Sequence, residues 1–330
     1  MRSPPCLSRR AVLGLAGLAA LSGCSPVTPD VPGSLRIMVP NAPGGGYDTT
    51  ARVVAEVLQE EELAEAVEVF NLEGASGAVG LARTAGESGN PDLLMMMGLG
   101  VVGALYATGA AVDFEQVTPI ARLLSEPEII AVPSDSRFDT FGDLVGAWRA
   151  DPKVVKVGGG SQIGGPDHLA AHMLAESVGI DPRRIEYVRF DGGGPLLAGL
   201  FTGEVDFAVS GLGEYADHIR MGEVRVLAVT AEEQLDDLDA PTLRELGVDM
   251  DFRNWRGFVA PPELAGEEQR SLVDLISRMH ETPAWQAAQR ANGWTDDFLV
   301  GDEFGRFLDE ESARVAALLD DLGLSREKGS

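Results

Sequence analysis

Residues 35–52 read LRIMVPNAPGGGYDTTAR and show how this chain is built. Leu35–Val39 is a short apolar run typical of a buried strand, and residues 49–63 carry apolar side chains at helical spacing. Gly44, Gly45 and Gly46 stand between them and indicate a tight turn. A strand, a glycine turn and a helix in this order form the repeating unit of α/β proteins, so the stretch predicts an α/β fold.

Two further stretches repeat this order. Val154–Val157 precedes Gly158–Gly160 and Ile185–Phe190 precedes Gly192–Gly194, and a helical pattern follows each triplet. The first N–H groups of a helix lack intrahelical acceptors and, together with the helix dipole, attract an anion. Ligands of open α/β sheets bind beyond the carboxyl ends of the strands. The three glycine loops therefore predict an anion site, although each could serve only as a tight turn.

The rest of the chain continues this alternation, which is typical of α/β units around parallel sheets. The pattern predicts strands at Leu35–Val39, Ala66–Phe70, Leu93–Met97, Ile129–Val132, Val154–Val157, Ile185–Phe190, Val205–Val209, Val224–Thr230 and Gly257–Ala260. It predicts helices at Thr49–Leu63, Gly77–Ala85, Gly100–Ala107, Phe141–Ala150, Pro166–Val178, Pro195–Thr202, Gly213–Met221, Gly266–Met279, Ala284–Ala291 and Asp302–Leu322.

The length and the net charge of the chain indicate the number of lobes and exclude some classes of partner. The chain has 330 residues, about twice a typical domain, which predicts two lobes. Its 52 Asp and Glu residues against 26 Lys and Arg residues give a net charge of −26. Nucleic acids are held mainly by Lys and Arg, so this balance argues against nucleic acid as a partner. It also argues against broad adhesion to an anionic membrane surface.

The N-terminal residues resemble an export signal. Arg9 and Arg10 precede the apolar run Ala11–Leu21, which is too short for a permanent membrane span. The sequence LSGC then resembles a bacterial lipobox, in which Cys24 is the acylated first residue of the mature protein. We therefore predict a signal peptide at residues 1–23 and a lipidated N-terminus and linker at 24–34. The arginine pair resembles a twin-arginine signal; the export route, and an ordinary cleaved signal with an incidental cysteine, stay open.

Two motifs of catalysis and phosphate binding are missing from the sequence. It contains no G-x-x-x-x-G-K-[ST] and no G-x-S-x-G. Cys6 and Cys24 both lie near the N-terminus, so no disulfide framework or cysteine-rich metal site is expected. His168 and His172 share a helix face but lack the glutamate of H-E-x-x-H, which favours a loop bond and packing over metal binding. We expect no enzyme activity, metal or cofactor.

Two charged residues beside the glycine loops allow two interpretations each. Asp48 follows the first triplet, where it could cap the helix or also orient a ligand. Arg189 precedes the third triplet, where it could pair with a ligand carboxylate or with a neighbouring acid.

Several stretches together resemble one family, the substrate-binding proteins of tripartite tricarboxylate transporters, also called Bug receptors. The similarity covers roughly residues 35–323, although Leu72-Glu73 stands where an Arg-Pro pair is common. The stretches that carry it are Val39–Arg52, Asn71–Gly77, Gly158–Ala170, Arg189–Pro195, Gly203–Asp206 and Leu227–Thr230.

The resemblance implies a type II-like periplasmic-binding-protein fold with two lobes, two crossover connections and a central ligand cleft. Residues 35–131 plus 228–330 would form one lobe and residues 132–227 the other, with Ile129–Val132 and Val224–Thr230 as the connections. It further implies that loop backbone and ordered water, rather than an arginine clamp, hold the ligand carboxylate. The candidate ligand-binding residues are Pro43, Gly44, Gly45, Gly46, Tyr47, Asp48, Ser76, Gly77, Gly160, Ser161, His168, Arg189, Asp191, Gly192, Gly193 and Gly194.

The function implied by the resemblance is capture of a small di- or tricarboxylate, such as citrate, outside the cytoplasm. The partners implied are the large and small membrane subunits of the transporter and, through Cys24, the membrane. A monomer is expected. Two alternatives stay open: a receptor that signals carboxylate occupancy to a membrane sensor kinase, and an enzyme of the same two-lobed shape.

Overall fold

The computed structural model describes residues 34–235 and 238–325, which fall within one unit of the chain. The predicted signal peptide, most of the linker and Cys24 lie outside the described residues. The described strands are β1 Leu35–Val39, β2 Val67–Asn71, β3 Leu93–Gly98, β4 Thr118–Glu126, β5 Glu128–Pro133, β6 Lys156–Gly159, β7 Glu186–Arg189, β8 Phe207–Gly211, β9 Val224–Val229, β10 Asn254–Ala260 and β11 Thr295–Val300. The described α-helices are α1 Gly46–Glu60, α2 Ala78–Ala85, α3 Leu99–Thr108, α4 Phe141–Ala150, α5 Pro166–Ser177, α6 Gly193–Thr202, α7 Leu212–Arg220, α8 Gly266–His280, α9 Pro283–Asn292 and α10 Gly301–Asp321.

The strands form two sheets, and the helices alternate with the strands along the chain. One sheet has the order β11-β4-β10-β3-β1-β2 and the other β7-β6-β8-β5-β9. We call the part of the chain around the first sheet the first lobe and the part around the second sheet the second lobe. The fold is therefore a two-lobed α/β fold, as predicted.

Both sheets are mixed, so the expectation of parallel sheets is wrong. β1 runs parallel to β2 and β3, and β6 runs parallel to β7 and β8. The strands nearest the crossovers run the other way: β10 is antiparallel to β3 and β4, and β5 is antiparallel to β8 and β9. Two consecutive strands of a sheet can run parallel only if a crossover connection, usually a helix, carries the chain back to the starting end of the sheet. A chain that passes straight from one sheet into the next has no such connection.

The chain passes between the lobes twice. Only Pro127 separates β4 of the first sheet from β5 of the second, and residues 230–253 lead back from β9 to β10. Both predicted connecting segments, Ile129–Val132 and Val224–Thr230, thus overlap strands of the second sheet. The sequence places the borders of the lobes at residues 131/132 and 227/228. That the two lobes move relative to one another at these borders stays a prediction.

Two strands have no counterpart in the sequence prediction. β4 reads TPIARLLSE and β11 reads TDDFLV, so charged residues interrupt the apolar pattern of both. These charges are paired across the strands, because the buried Arg122 of β4 forms an ion pair with Asp297 of β11. The Arg122 guanidinium also stacks on Phe307, 4.1 Å from the ring centroid. A strand that carries buried ion pairs lacks a regular apolar pattern, so apolar periodicity does not predict it.

The apolar core places the helices on the sheets. Met95, Met96 and Met97 of β3 are fully buried, which confirms the buried strand expected there. α10 buries Phe304, Leu308, Val315 and Leu319 on one face and so docks on the body, as its spacing predicted. Among the described residues, no helix has the length and apolar character needed to cross a bilayer.

Candidate functional site

A cavity of about 290 Å³ lies between the lobes. Its walls come from loops and helix ends that meet at the crossover segments. The lining residues are Pro40, Asn41, Gly46, Tyr47, Ser76, Gly100, Glu126, Gly160, Ser161, Gln162, Gly165, Pro166, Asp167, Gly211, Glu214, Asn254 and Arg256. Volumes of this order suit a small ligand.

The first lobe contributes hydrogen-bond donors to the cavity wall. α1 begins at Gly46, and the first N–H groups of the helix have no acceptor within it. The Arg256 side chain from β10 lies against this turn, so that a Cβ built on Gly46 would lie 2.5 Å from its Nη2. Arg256 Nη1 donates to Thr50 Oγ1 at 3.1 Å, which fixes the guanidinium beside the helix start. Glycine at position 46 is therefore needed for close approach of the arginine.

Arg256 also forms a buried ion pair with Glu126 at the end of β4. The second oxygen of this carboxylate accepts from the N–H of Gly213, at 3.2 Å, in the first turn of α7. The pair ties the first lobe to the second at the base of the cleft. Removing one member would leave the other charge buried, which typically costs about 3–5 kcal/mol.

Tyr47 closes the first-lobe wall toward α3. Burial raises the pKa of its hydroxyl to about 12, and the Arg256 charge only partly opposes the shift. The hydroxyl is therefore a neutral hydrogen-bonding group at physiological pH.

The second lobe contributes an acidic wall. Asp167 lies in the first turn of α5, and its Oδ2 accepts from the N–H of Gly160 at 2.7 Å. Glu214 lies in the first turn of α7, and its carboxylate lies against Gly193. Both carboxylates line the cavity. A ligand anion would have to compete with Asp167 for the Gly160 N–H group.

Burial raises the pKa values of these acids. The pKa of Asp167 rises to about 6, mainly by desolvation. The pKa of Glu214 rises to about 7 through desolvation and then through the charges of Asp167 and Glu126. Glu128, behind the lining residue Asn254, is fully buried, and its pKa rises well above the usual range for the same reasons. The acids therefore raise the free energy of one another's ionised forms.

The two lobes touch beside the cavity, whose lining includes Gly100 of α3 and Gly165 before α5. Gly103 of α3 packs against Gly164, which precedes α5 and has a φ of +83°. A Cβ built on Gly103 would lie 2.5 Å from the Gly164 carbonyl carbon and 2.9 Å from its Cα. Only a glycine pair permits this backbone contact, so the structure has the lobes closed at this point.

The structure brings five of the candidate residues together on the cavity wall: Gly46, Tyr47, Ser76, Gly160 and Ser161. Gly44 lies outside the lining, and its N–H donates to Asp48 Oδ2 at 2.9 Å. Gly192 donates to the Gly160 carbonyl at 2.8 Å, which joins the second and third glycine loops. The remaining candidates also lie outside the lining: Pro43, Gly45, Asp48, Gly77, His168, Arg189, Asp191, Gly193 and Gly194.

Asp48 is not the N-cap of α1, because the cap position belongs to Gly45. Its buried carboxylate instead accepts from Arg52 Nε at 2.8 Å and from Asn71 Nδ2 at 2.9 Å. These bonds, with the Arg52 bond first, lower the pKa of Asp48 to about 2. Asp48 therefore holds the first loop to α1 and β2.

Arg189 pairs with a neighbouring acid, which was the second of its two interpretations: its guanidinium lies 3.1 Å from the Asp191 carboxylate. His168 accepts from the N–H of Gly164 at 3.4 Å, and the ring of His172 lies 2.8 Å from the His168 carbonyl. Both histidines are buried, which lowers their pKa values, to about 3 for His168. They support the loop before α5, as the sequence favoured. Within the described ranges, no group of three or more His, Cys, Asp or Glu is placed to hold a metal.

Sequence reasoning missed the charged residues of the cavity. Arg256 stands inside a strand, Glu126 ends a strand that was not predicted, and Glu214 opens a helix. Only Asp167 carried a usable signal, because it follows the second triplet and Pro166 at the start of α5.

Comparison with known proteins agrees with this geometry. Residues 50–324 match the family described as "Tripartite tricarboxylate transporter family receptor". The chain is 26% identical over 332 residues to Protein BugT of Bordetella pertussis, with 95% of this chain and 97% of that protein covered.

Two solved structures share the fold. One is Rpa4515 of R. palustris with adipate, with a TM-score of 0.73, 21% identity and coverage of 88% of this chain and 98% of that chain. The other is MatC of Rhodopseudomonas palustris with bound malate, with a TM-score of 0.69, 21% identity and coverage of 87% and 98%.

Proposed function

The chain belongs to the tripartite tricarboxylate transporter receptor family, and on that premise we propose that it captures a small carboxylate outside the cytoplasm for a membrane permease. The observation that carries the proposal is the cavity between the lobes, which is lined by the start of α1 on one side and by the Gly160–Gln162 loop on the other. A ligand there contacts both lobes, so its binding energy can favour the closed arrangement.

The hydrogen-bond donors on the first-lobe wall support a carboxylate as the ligand. The α1 N-terminus and Arg256 converge at Gly46, where a carboxylate oxygen would meet both backbone donors and a guanidinium. The fold relatives with adipate and malate hold dicarboxylates, and citrate, a tricarboxylate, is a further small carboxylate of the kind we propose. We propose that ligand binding, rather than turnover, is the whole function of the cleft.

The test is to release and identify whatever ligand the purified protein retains, by mass spectrometry after denaturation. Titration calorimetry of the ligand-free protein with malate, adipate, citrate and the diamide of succinate then measures preference. We expect at least one carboxylate to bind at micromolar concentration and the neutral diamide to bind much more weakly. Equal binding of the diamide, or conversion of a bound carboxylate into a product, would overturn the proposal.

We also propose that Cys24 is diacylated and tethers the protein to the membrane. The lipobox-like sequence Leu21-Ser22-Gly23-Cys24 and the proline-containing linker that follows support this. Two acyl chains are needed for stable anchoring, since each buried methylene contributes about 0.8 kcal/mol. Cys24→Ser should move the protein from the membrane fraction to the soluble fraction. Retention of the variant after a salt wash would refute lipid anchoring.

The proposed partners are the large and small membrane subunits of a tripartite tricarboxylate transporter. Family membership supports them, because receptors of this family are named for that transporter. Uptake of the labelled ligand by intact cells should require both this protein and the membrane subunits. Uptake that persists at full rate after removal of this protein would contradict the assignment.

A further inference from the structure

We propose that capture of a carboxylate by this cleft is coupled to the uptake of a proton by the acidic wall of the second lobe. Asp167 and Glu214 take up this proton, so the affinity for the carboxylate falls as the pH of the medium rises. The inference rests on the proposed function of the site, and it adds a regulation by pH that capture of a carboxylate does not by itself require.

The first argument is the charge that a carboxylate meets in the cavity. Three of the lining residues are acids, Glu126, Asp167 and Glu214, and Arg256 is the only Lys or Arg of the lining. Arg256 is already paired with Glu126. A single positive charge therefore faces three carboxylates of the protein and, after capture, those of the ligand as well. Nearby like charges disfavour the ionised form of a carboxyl group, which responds by taking up a proton.

The second argument is the loss of water that capture entails. Glu214 lines the cavity and is exposed, so its side chain is accessible to solvent in the empty cleft. A ligand that fills the cavity of about 290 Å³ removes this solvent from Glu214. Loss of water also disfavours the ionised form of a carboxyl group. The charge of the ligand and the loss of water thus act on Glu214 in the same direction.

A third, independent observation lies behind the lining. Glu128 is fully buried, and its Oε1 accepts from Asn254 Nδ2 at 3.0 Å. Its Oε2 has no hydrogen-bond partner among the described residues. A buried carboxylate oxygen without a donor is costly, and protonation removes the charge of such a group. Burial, and then the charge of Asp167, accordingly raise the pKa of Glu128 well above the usual range. The acids around the cavity thus already include one that holds a proton.

The pH range of the effect follows from the empty cleft. Desolvation is the main cause that raises the pKa of Asp167 to about 6 and that of Glu214 to about 7. Capture raises both pKa values further, so the bound protein holds protons that the empty protein has already released. Proton uptake should therefore be largest above about pH 7, and each proton taken up weakens binding by up to about tenfold per pH unit there.

The other groups around these two acids do not account for the same effect. Burial lowers the pKa values of the two histidines and raises those of the three tyrosines, so neither kind of residue changes its charge in this range. The titratable and charged groups that face Asp167 and Glu214 are Tyr47 on α1, Glu126 on β4, Glu128 on β5, His168 and His172 on α5, Tyr187 and Arg189 on β7, Tyr215 on α7 and Arg256 on β10.

The experiment counts protons by titration calorimetry in phosphate and in Tris, two buffers that differ in their enthalpy of ionisation. The probe is the tightest binder among malate, adipate and citrate, at about pH 7.5, where the carboxyl groups of all three are ionised in solution. We expect uptake of about 0.5–1 proton for each ligand bound by the parent. The dissociation constant should then rise about three- to tenfold between about pH 7.5 and about pH 8.5.

Two variants locate the proton. Glu214→Gln is neutral at every pH, so it should take up at most about half as many protons as the parent and bind the probe about threefold or more tightly than the parent at about pH 8.5. Asp167→Asn should also take up fewer protons. Glu176→Gln, which changes an exposed acid on the same helix as Asp167, should behave like the parent.

Three results would overturn the inference and leave the carboxylate receptor standing. The first is binding by the parent without proton uptake, and the second is release of protons on binding. The third is equal uptake by the parent and by both cleft variants, which would place the proton elsewhere. If none of the three carboxylates binds at any pH between about 5.5 and about 8.5, the proposed function fails and the inference fails with it.

Discussion

Substitution of Gly103 by alanine should separate ligand binding from folding. Gly103 lies inside α3, where alanine is the better helix former by about 0.5–1 kcal/mol. In the closed arrangement, however, the added Cβ would lie 2.5 Å from the carbonyl carbon of Gly164, closer than real Cβ atoms come to such a neighbour. The clash involves backbone on both sides, so no side-chain rotation relieves it.

The size of the effect follows from this geometry. Forcing one extra methyl into a packed contact costs about 1–3 kcal/mol, which corresponds to about 5- to 150-fold weaker ligand binding. We expect an open arrangement of the lobes to lack this contact, so the free energy of unfolding of the empty protein should stay the same or rise slightly. The ligand would be the tightest-binding carboxylate found for the parent.

Titration calorimetry measures the affinity, and urea denaturation without ligand measures the stability. Gly146→Ala is the matched control, since Gly146 lies inside α4 with no atom within 4 Å of an added Cβ. It should leave affinity unchanged. Parental affinity in Gly103→Ala would refute closure through this contact, and an equal loss of affinity and stability would show that the contact belongs to folding.

Three other predictions concern the same cleft. Small-angle scattering should show a smaller radius of gyration with saturating ligand than without it, because hinge closure brings the lobes together; an unchanged radius with confirmed binding would count against closure. Gly160→Ala should weaken ligand binding about tenfold or more in calorimetry, because its Cβ would lie 2.7 Å from the Gly192 carbonyl carbon; binding equal to that of Gly146→Ala would contradict this. The contribution of Glu214 to the stability of the empty protein should fall as pH rises from about 4.5 to about 7, since folded Glu214, with its raised pKa of about 7, holds a proton that the unfolded chain releases. In urea denaturation, the stability of Glu214→Gln relative to the parent should therefore rise across this window, and a constant difference between the two proteins would disprove that origin.

The amino-acid sequence alone determined the local elements and the family. Leu35–Val39, the Gly44–Gly46 turn and the helix after it are adjacent in the chain, so their apolar spacing and glycine content predict them directly. The same holds for Phe141–Ala150, which the structure reproduces residue for residue. Five of the predicted site residues also line the cavity, because they lie at strand ends that any α/β sheet brings to one edge.

Only the tertiary structure determined which charged residues line the cleft. Arg256, Glu126, Asp167 and Glu214 stand on four different elements, and in the sequence Glu126 and Glu214 are unremarkable among 52 acids. What brings them together is the antiparallel register of β10 with β4, which pairs Arg256 with Leu124 beside Glu126, and the closure of the second lobe over them. Register and crossover depend on contacts between segments far apart in the chain, such as the Arg256–Glu126 pair at a separation of 130 residues, and those contacts leave no periodic signal in the chain.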